Sequence, residues 1–315
     1  MNHESIAHHA KRLVIFILIG SAHSIVGLAI PSLSNVFASE AIGIVTAHGP
    51  LEVSGVSILP DGRRYAVVGD DTETHGRIWP GGSSWIIKPK IKDPESLDIA
   101  TTDSGEVLWL ILGEEERLVG EPQSKRARSQ LGSEFRPICG RGLEGLSLRW
   151  KDGDWQAVVL WEGGYYDSKK CDKADVAILK SSPVARPKMA ILSWEKGLGI
   201  EMISQTKELN VPVPPNGHFR ATDLAWFDDK LVVLLGSTGK DGKEPYAHTW
   251  LQRFDLNGNQ VGDPVKLEEK WGSFREGRNW EALDITSDGR TFVMGYDSKD
   301  GSSQLAVFAN PFLKP

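Results

Sequence analysis

Short runs of alternating apolar and polar residues recur along the chain, each broken by a turn rich in Asp and Gly and answered by a returning apolar run. The clearest covers residues 279–297. Glu281 opens Ala282-Leu283-Asp284-Ile285, Asp288-Gly289 turns the chain, and Thr291 to Met294 comes back. A period of two with an Asp-Gly turn between its halves predicts a β-hairpin. The same hairpin recurs at residues 94–114 and 143–164, and in looser form at 54–71 and 222–237.

Aligning the copies places Ser54, Glu95, Glu144, Thr222 and Glu281 in one column and Val56, Leu97, Leu146, Leu224 and Leu283 in the next apolar one. Hairpin repeats of roughly 40 to 50 residues are most simply arranged as four-stranded blades around an axis, so the predicted fold is an all-β β-propeller. The interval between Glu144 and Thr222 is longer than the others and holds three further strand-like runs, at 175–179, 188–194 and 200–204. It reads either as an insertion around Cys171 or as one more blade. Length divided by the ordinary repeat favours six blades over five. Residues 42–53 and 304–308 are candidates for pairing first blade to last, which removes open sheet edges. Trp109, Trp155, Trp161, Trp226 and Trp280 lie in or beside the hairpins and are expected to fill the spaces between blades.

The first residues break the pattern. Lys11 and Arg12 precede an apolar stretch from Leu13 to Ile30, and Val36-Phe37-Ala38 ends in small residues, the layout of a secretory signal at residues 1–38 with cleavage after Ala38. An uncleaved membrane anchor is the alternative, because the stretch approaches the ~20 residues that span a bilayer. The remaining residues, 39–315, carry no linker and are expected to form a single propeller domain, periplasmic or extracellular. Losing Lys11, Arg12 and Glu4 changes the net charge from −6 to −7, so no nucleic-acid partner is expected and membrane attachment only through an uncleaved leader. A monomer is expected. The chain's two cysteines, Cys139 and Cys171, flank one hairpin, and in an oxidising compartment they are expected to form a disulfide.

Hairpin geometry returns each blade's second strand to the rim where the first began. One rim should therefore collect Glu95 with Glu114, Glu144 with Glu162, and Glu281 with Asp297, joined by Asp70 and Asp71. Arg141 and Arg278 each stand three residues before a column Glu, and Arg220 two before Thr222. Two chemistries follow. Glu95, Glu144 and Glu281 could hold a hard divalent ion, for which Ca²⁺ is the natural choice, or Arg141, Arg220 and Arg278 could bind an anionic small molecule. A purely structural set of Arg–Glu pairs is the third reading. His218 is the one His placed near this rim to act as a base, and with Glu144 it forms the candidate catalytic set, acting on a metal-bound water. No G-x-S-x-G elbow, H-E-x-x-H or phosphate-binding glycine loop is present.

The E-[AGS]-L openings at Glu95, Glu144 and Glu281, each followed by an Asp-Gly or Asp-x-Gly turn, resemble those of the phytase-like (esterase-like activity of phytase) secreted β-propellers, within the wider calcium-binding six-bladed superfamily. The similarity extends weakly over residues 46–315, and Ser54 and Thr222 depart from it. It implies a propeller with Ca²⁺ and phosphate-ester or lactone hydrolysis. Two functions therefore stand: a Ca-dependent phosphoesterase or esterase-like hydrolase, and a non-catalytic binding or scaffold propeller of the cell envelope.

Overall fold

The computed structural model describes residues 43–46, 52–69, 75–79, 83–86, 91, 93–113, 117–120, 135–195, 199–202, 206–215, 217–238, 248–271, 274, 279–297 and 303–313. The expected leader, Arg278, Asp70, Asp71 and Glu114 lie outside them.

Each repeat hairpin forms the inner pair of an antiparallel sheet. The first blade runs outward through Gly55–Ile58, Tyr65–Val68, His75–Trp79 and Ser83–Ile86, and the second through Pro94–Thr101, Val107–Gly113 and Arg117–Gly120. The third comprises Leu143–Lys151, Asp154–Trp161, Lys188–Glu195 and Gly199–Met202, and the fourth His218–Phe227, Lys230–Thr238, Thr249–Phe254 and Val265–Lys266. In the fifth, Asn279–Ile285, Thr291–Asp297 and Gln304–Ala309 are completed by Gly43–Thr46, with Gly43 opposite Val307 and Thr46 opposite Gln304. The anticipated pairing of the first strand with the last is therefore made, and both strands lose an exposed edge.

Packing between blades follows from the alternation, since the side chains on the two faces of each sheet meet those of its two neighbours. Five apolar clusters result, one at each blade junction. Trp155 and Trp161 fill the junction of second and third blades, Trp226 that of third and fourth, and Trp280 that of fourth and fifth, while Trp109 packs between first and second. The tryptophans are thus inter-blade core.

The innermost strands neighbour one another in the order first, second, third, fourth, fifth and back to first, so the ring closes on five among the described residues. The expectation of six blades rests on dividing the length by the ordinary repeat, which does not decide whether the long interval is an insertion or one more blade. Its run at 188–195 instead pairs onto the third blade's second strand and its run at 199–202 onto 188–195, and residues 162–187 form an insertion. Within that insertion the strand expected at 175–179 is a short helix, Val176–Ser181. The apolar run there has no sheet edge to join, and Asp175 just before it is tied instead to Arg136. The insertion also holds a two-stranded ribbon, Gly164–Tyr165 with Val184–Ala185, and the disulfide between Cys139 and Cys171, with an S–S distance of 2.04 Å.

Candidate functional site

Strict alternation would place the Glu column on the opposite face from the residues that follow it toward the axis. The structure overcomes this with β-bulges. Register shifts fall between Pro94 and Ser96, between Ala221 and Asp223, between Trp280 and Ala282, and opposite Leu160 and Trp161, so that Glu95, Thr222, Glu281 and Glu144 are the unpaired residues of four blades. A bulge bends the strand and re-aims the extra side chain. Repeating it around the ring turns the column inward, where the carboxylates meet.

Glu162 is the centre of the resulting cluster. Its side chain is 1% exposed, and Oε2 lies 2.9 Å from both Arg141 Nη1 and Arg220 Nε. Its Oε1 accepts from the Gly142 N–H at 3.2 Å. Arg220 then reaches across blades: Nη2 lies 2.7 Å from Glu281 Oε1 and 4.0 Å from Glu144 Oε2. Asn279 Nδ2 also donates to Glu281 Oε1. Arg141 is steadied from behind, because Nε donates to the Tyr165 carbonyl and the Cys139 carbonyl accepts from Asp167 N. The disulfide therefore fastens the turn that carries Arg141 to the insertion that carries Tyr165. Gly163 permits the turn after Glu162. Its φ is +66°, and a Cβ there would stand 2.4 Å from Pro187 N.

Among the described residues, Glu162 and Glu281 have a guanidinium at hydrogen-bonding distance, whereas Arg220 approaches Glu144 to 4.0 Å. Burial, reinforced by the charges of Glu162, Glu95 and Glu281 and only partly offset by Arg220, holds the Glu144 carboxyl well above its usual range. Glu144 is thus set apart from the other carboxylates of the mouth by its environment, which favours its neutral form.

The sequence-derived candidates divide accordingly. Glu95, Glu144, Glu281, Arg141 and Arg220 are brought to one mouth of the channel, and Arg278 lies outside the described residues. His218 starts the fourth blade's inner strand, and its ring meets Tyr165 edge-on at 4.9 Å, one residue removed from the cluster's own contacts. Arg141 pairs with Glu162 and not with Glu144, the Glu it precedes by three.

A second polar layer lies deeper on the axis, where sequence reasoning singled out nothing. One and three residues beyond the column position the inner strands again face inward, and the deeper of these levels carries Ser57, Asp98, Ser147, Ala225 and Asp284. Asp98 Oδ1 accepts from Ser57 Oγ at 3.1 Å and Ile99 N at 2.6 Å, and Oδ2 from Ser147 Oγ at 3.0 Å and Leu148 N at 2.5 Å. Asp223, one level nearer the Glu mouth, accepts from Ser96 Oγ at 3.2 Å and from the N–H groups of Leu224 and Leu283 at 2.8 and 2.7 Å. These bonds lace second blade to third, and fourth to fifth. The axis is narrow enough that a Cβ on Gly55 would lie 2.6 Å from Leu97 N. The available signal was an Asp or Ser inside an apolar run, as in Leu97-Asp98-Ile99 and Leu283-Asp284-Ile285.

No protein-family model matches the chain, and no curated protein does. Among solved structures, an endo-arabinase from Bacteroides thetaiotaomicron is similar at 14% identity and a TM-score of 0.46, with 86% of this chain and 95% of that one covered. An arabinanase of Bacillus subtilis is similar at 13% identity and a TM-score of 0.45, covering 84% and 96%. The propeller of Dos1 gives 8% identity and a TM-score of 0.35 over 80% and 68%. At such values nothing about the site is carried over from them. Among the described residues, no helix is long and apolar enough to cross a membrane.

Proposed function

We propose that this chain is a hydrolase-like propeller that works at the Glu mouth of its channel, with Glu144 as the proton donor and Glu281 as the ionised partner. The observation that carries this reading is the placement of both carboxylates about one guanidinium edge, Arg220 Nη2, with only Glu281 at hydrogen-bonding distance. In such a site Glu144 delivers its proton to the departing oxygen of a C–O bond. Glu281 accepts one from the attacking water, so charge does not accumulate on either.

The charge balance narrows the substrate. Among the described residues the mouth gathers Glu95, Glu144, Glu162 and Glu281 against Arg141 and Arg220, and Glu162 already engages both guanidiniums. A neutral ester or lactone suits this excess of negative charge better than a phosphomonoester. The likeness to phytase-like propellers is compatible with either phosphate-ester or lactone hydrolysis, and the charge balance selects the second. Calcium does not fit the side chains as they stand, because Arg220 lies between Glu144, Glu162 and Glu281, and among the described residues no three Asp, Glu, His or Cys side chains are grouped to hold an ion. No step is therefore routed through a metal. Export to an oxidising compartment agrees with the disulfide.

A binding or scaffold role has its own supporting observation: the chain Arg141–Glu162–Arg220–Glu281 fastens third, fourth and fifth blades and would serve with no chemistry at all. The deciding experiment presents lactones, aryl esters and phosphomonoesters to the purified protein with and without Ca²⁺, alongside Glu144→Gln. Hydrolysis of neutral esters that falls at least about 100-fold in the variant, as expected for loss of a general acid, supports the proposal. Inactivity of well-folded protein on every class leaves the scaffold role, and activity that Glu144→Gln does not change removes Glu144 from the reaction.

A further inference from the structure

The opposite end of the channel opens into a cavity of about 590 Å³, bounded by the far ends of all five inner strands and the turns that follow them. Asp98, Ser147 and Asp284 lie at its base, and Leu59, Phe227 and Ile285 are among the apolar side chains of its wall. That volume is within the range of small-molecule pockets, and its mixture of apolar wall and convergent polar groups is of the same kind. Trp226 also lines it, and the buried indole N–H of Trp226 has no hydrogen-bond partner among the described residues.

The hydrogen bonds at the base do not balance without one extra proton. Ser57 Oγ stands 3.1 Å from Asp98 Oδ1 and 3.1 Å from Asp284 Oδ2, and it already accepts from the Ile99 N–H at 3.0 Å. One hydroxyl proton serves one carboxylate. The other contact requires a proton on Asp98 or Asp284, donated to the remaining lone pair of the serine oxygen. No cation supplies an alternative among the described residues. The one guanidinium in the cavity wall, Arg149, lies 3.5 Å over the Trp226 ring and bonds to Gln156, Asp229 and the Asp228 carbonyl.

We propose that this cavity binds a small organic cation, an ammonium group on an apolar body, whose charge replaces the proton shared by Asp98 and Asp284. The open acceptor is Asp284 Oδ1, which among the described residues takes only the Ile285 N–H, whereas both oxygens of Asp98 already accept two bonds each. A bare metal ion would need several of those occupied lone pairs, but an ammonium needs one. Its apolar body lies against Leu59, Ile285 and Phe227, and the Phe227 face adds to the attraction for a cation. The charged and titratable groups that bear on the pair are Asp223 from the fourth blade, Asp228 and Asp288 in the turns, and Arg149 from the third. Since entry of the cation expels a proton, binding tightens as pH rises. Burial raises both carboxyls, Asp98 to about 6 and Asp284 well above its usual value, so the pH dependence is present at and below about 6.

The test is titration calorimetry of the folded protein with benzylammonium, with benzyl alcohol as the neutral control. The expected result is saturable binding of the ammonium at least about tenfold tighter than the alcohol, weakening about tenfold per pH unit below pH about 6, with proton release visible as a buffer-dependent heat. Asp284→Asn, whose amide can donate to Ser57 Oγ but then faces the Ile58 N–H, should lose the binding, with its fold checked by circular dichroism. Ala100→Trp narrows the cavity without touching either carboxylate and should lose it too. The proposal is overturned if the alcohol binds as well as the ammonium, if both variants bind as the native chain does, or if CaCl₂ raises Tm and benzylammonium does not.

Discussion

The channel carries two sets of carboxylates that fold and sequence treat alike and that physics treats differently. At the Glu mouth, Glu162 and Glu281 are met by the guanidiniums of Arg141 and Arg220. On the axis, Asp98, Asp223 and Asp284 are met, among the described residues, only by backbone N–H groups and serine hydroxyls. Neutral donors satisfy lone pairs but do not cancel charge, and burial accordingly raises all three aspartates above their usual 3.8. A carboxylate that must remain ionised in this channel needs an Arg. One that only has to hold blades together can be protonated and still accept its bonds.

The largest effect should come from removing the shared cation. Arg220→Met leaves Glu162 and Glu281 buried with one guanidinium fewer, and breaking such a pair costs about 3 to 5 kcal/mol. The comparison adds a sharper expectation: protonating the stranded carboxylates at low pH should recover most of the loss in chemical denaturation. A deficit that is the same at every pH would mean that Arg220 matters only as packing.

On the axis, Asp98→Ala should cost somewhat less, about 2 to 4 kcal/mol, because it strands Ser57, Ser147 and the N–H groups of Ile99 and Leu148. Low pH should not recover this loss, since no charge is left behind. Asp98→Asn, which cannot ionise and keeps one acceptor but leaves either the Ile99 or the Leu148 N–H facing an amide N–H, should cost less than Ala at neutral pH. Equal damage from Ala and Asn would mean that the acceptors, and not the buried charge, set the cost at Asp98.

The native protein supplies a smaller effect of opposite sign to ordinary acid denaturation. Asp98 has a folded pKa of about 6 against an unfolded 3.8, so its stabilisation is full below the unfolded value and is lost as pH rises through about 6. That shift corresponds to about 3 kcal/mol at most, and part of it is offset by carboxylates elsewhere, such as Asp175 beside Arg136, whose pKa is lowered and whose contribution is instead lost on acidification. Comparing the denaturation midpoint of the native chain and Asp98→Asn between pH about 5 and about 8 isolates it. The native chain should lose ground relative to the variant as pH rises.

Much of this was readable in the chain. The period-two runs and Asp-Gly turns specify the hairpins, and five aligned openings specify an annular repeat, because one column must map to one ring of positions. Three features were not readable. The bulges that turn Glu95, Glu144 and Glu281 inward depend on pairing with the second strand, and no residue shared by Glu-Ser-Leu, Glu-Gly-Leu and Glu-Ala-Leu requires them. Arg141 and Arg220 choose Glu162 through contacts across a glycine turn and across blades, which offsets along one strand do not rank. Dividing length by repeat size counted residues 162–187 as part of a blade, although a Cys and a helix-forming run set them apart.

The central claim is that burial and the carboxylates around it hold Glu144 well above its usual range, so that it can serve as the proton donor of the mouth. Infrared difference spectroscopy tests it directly, because a protonated carboxyl has a C=O stretch that a carboxylate lacks. At pH about 7 the native protein should show that band, and Glu144→Gln should remove one component of it while the part contributed by the axial aspartates remains. Identical protonated-carboxyl intensity in the native chain and Glu144→Gln would show that Glu144 is ionised, and the acid–base reading of the mouth would fall with it.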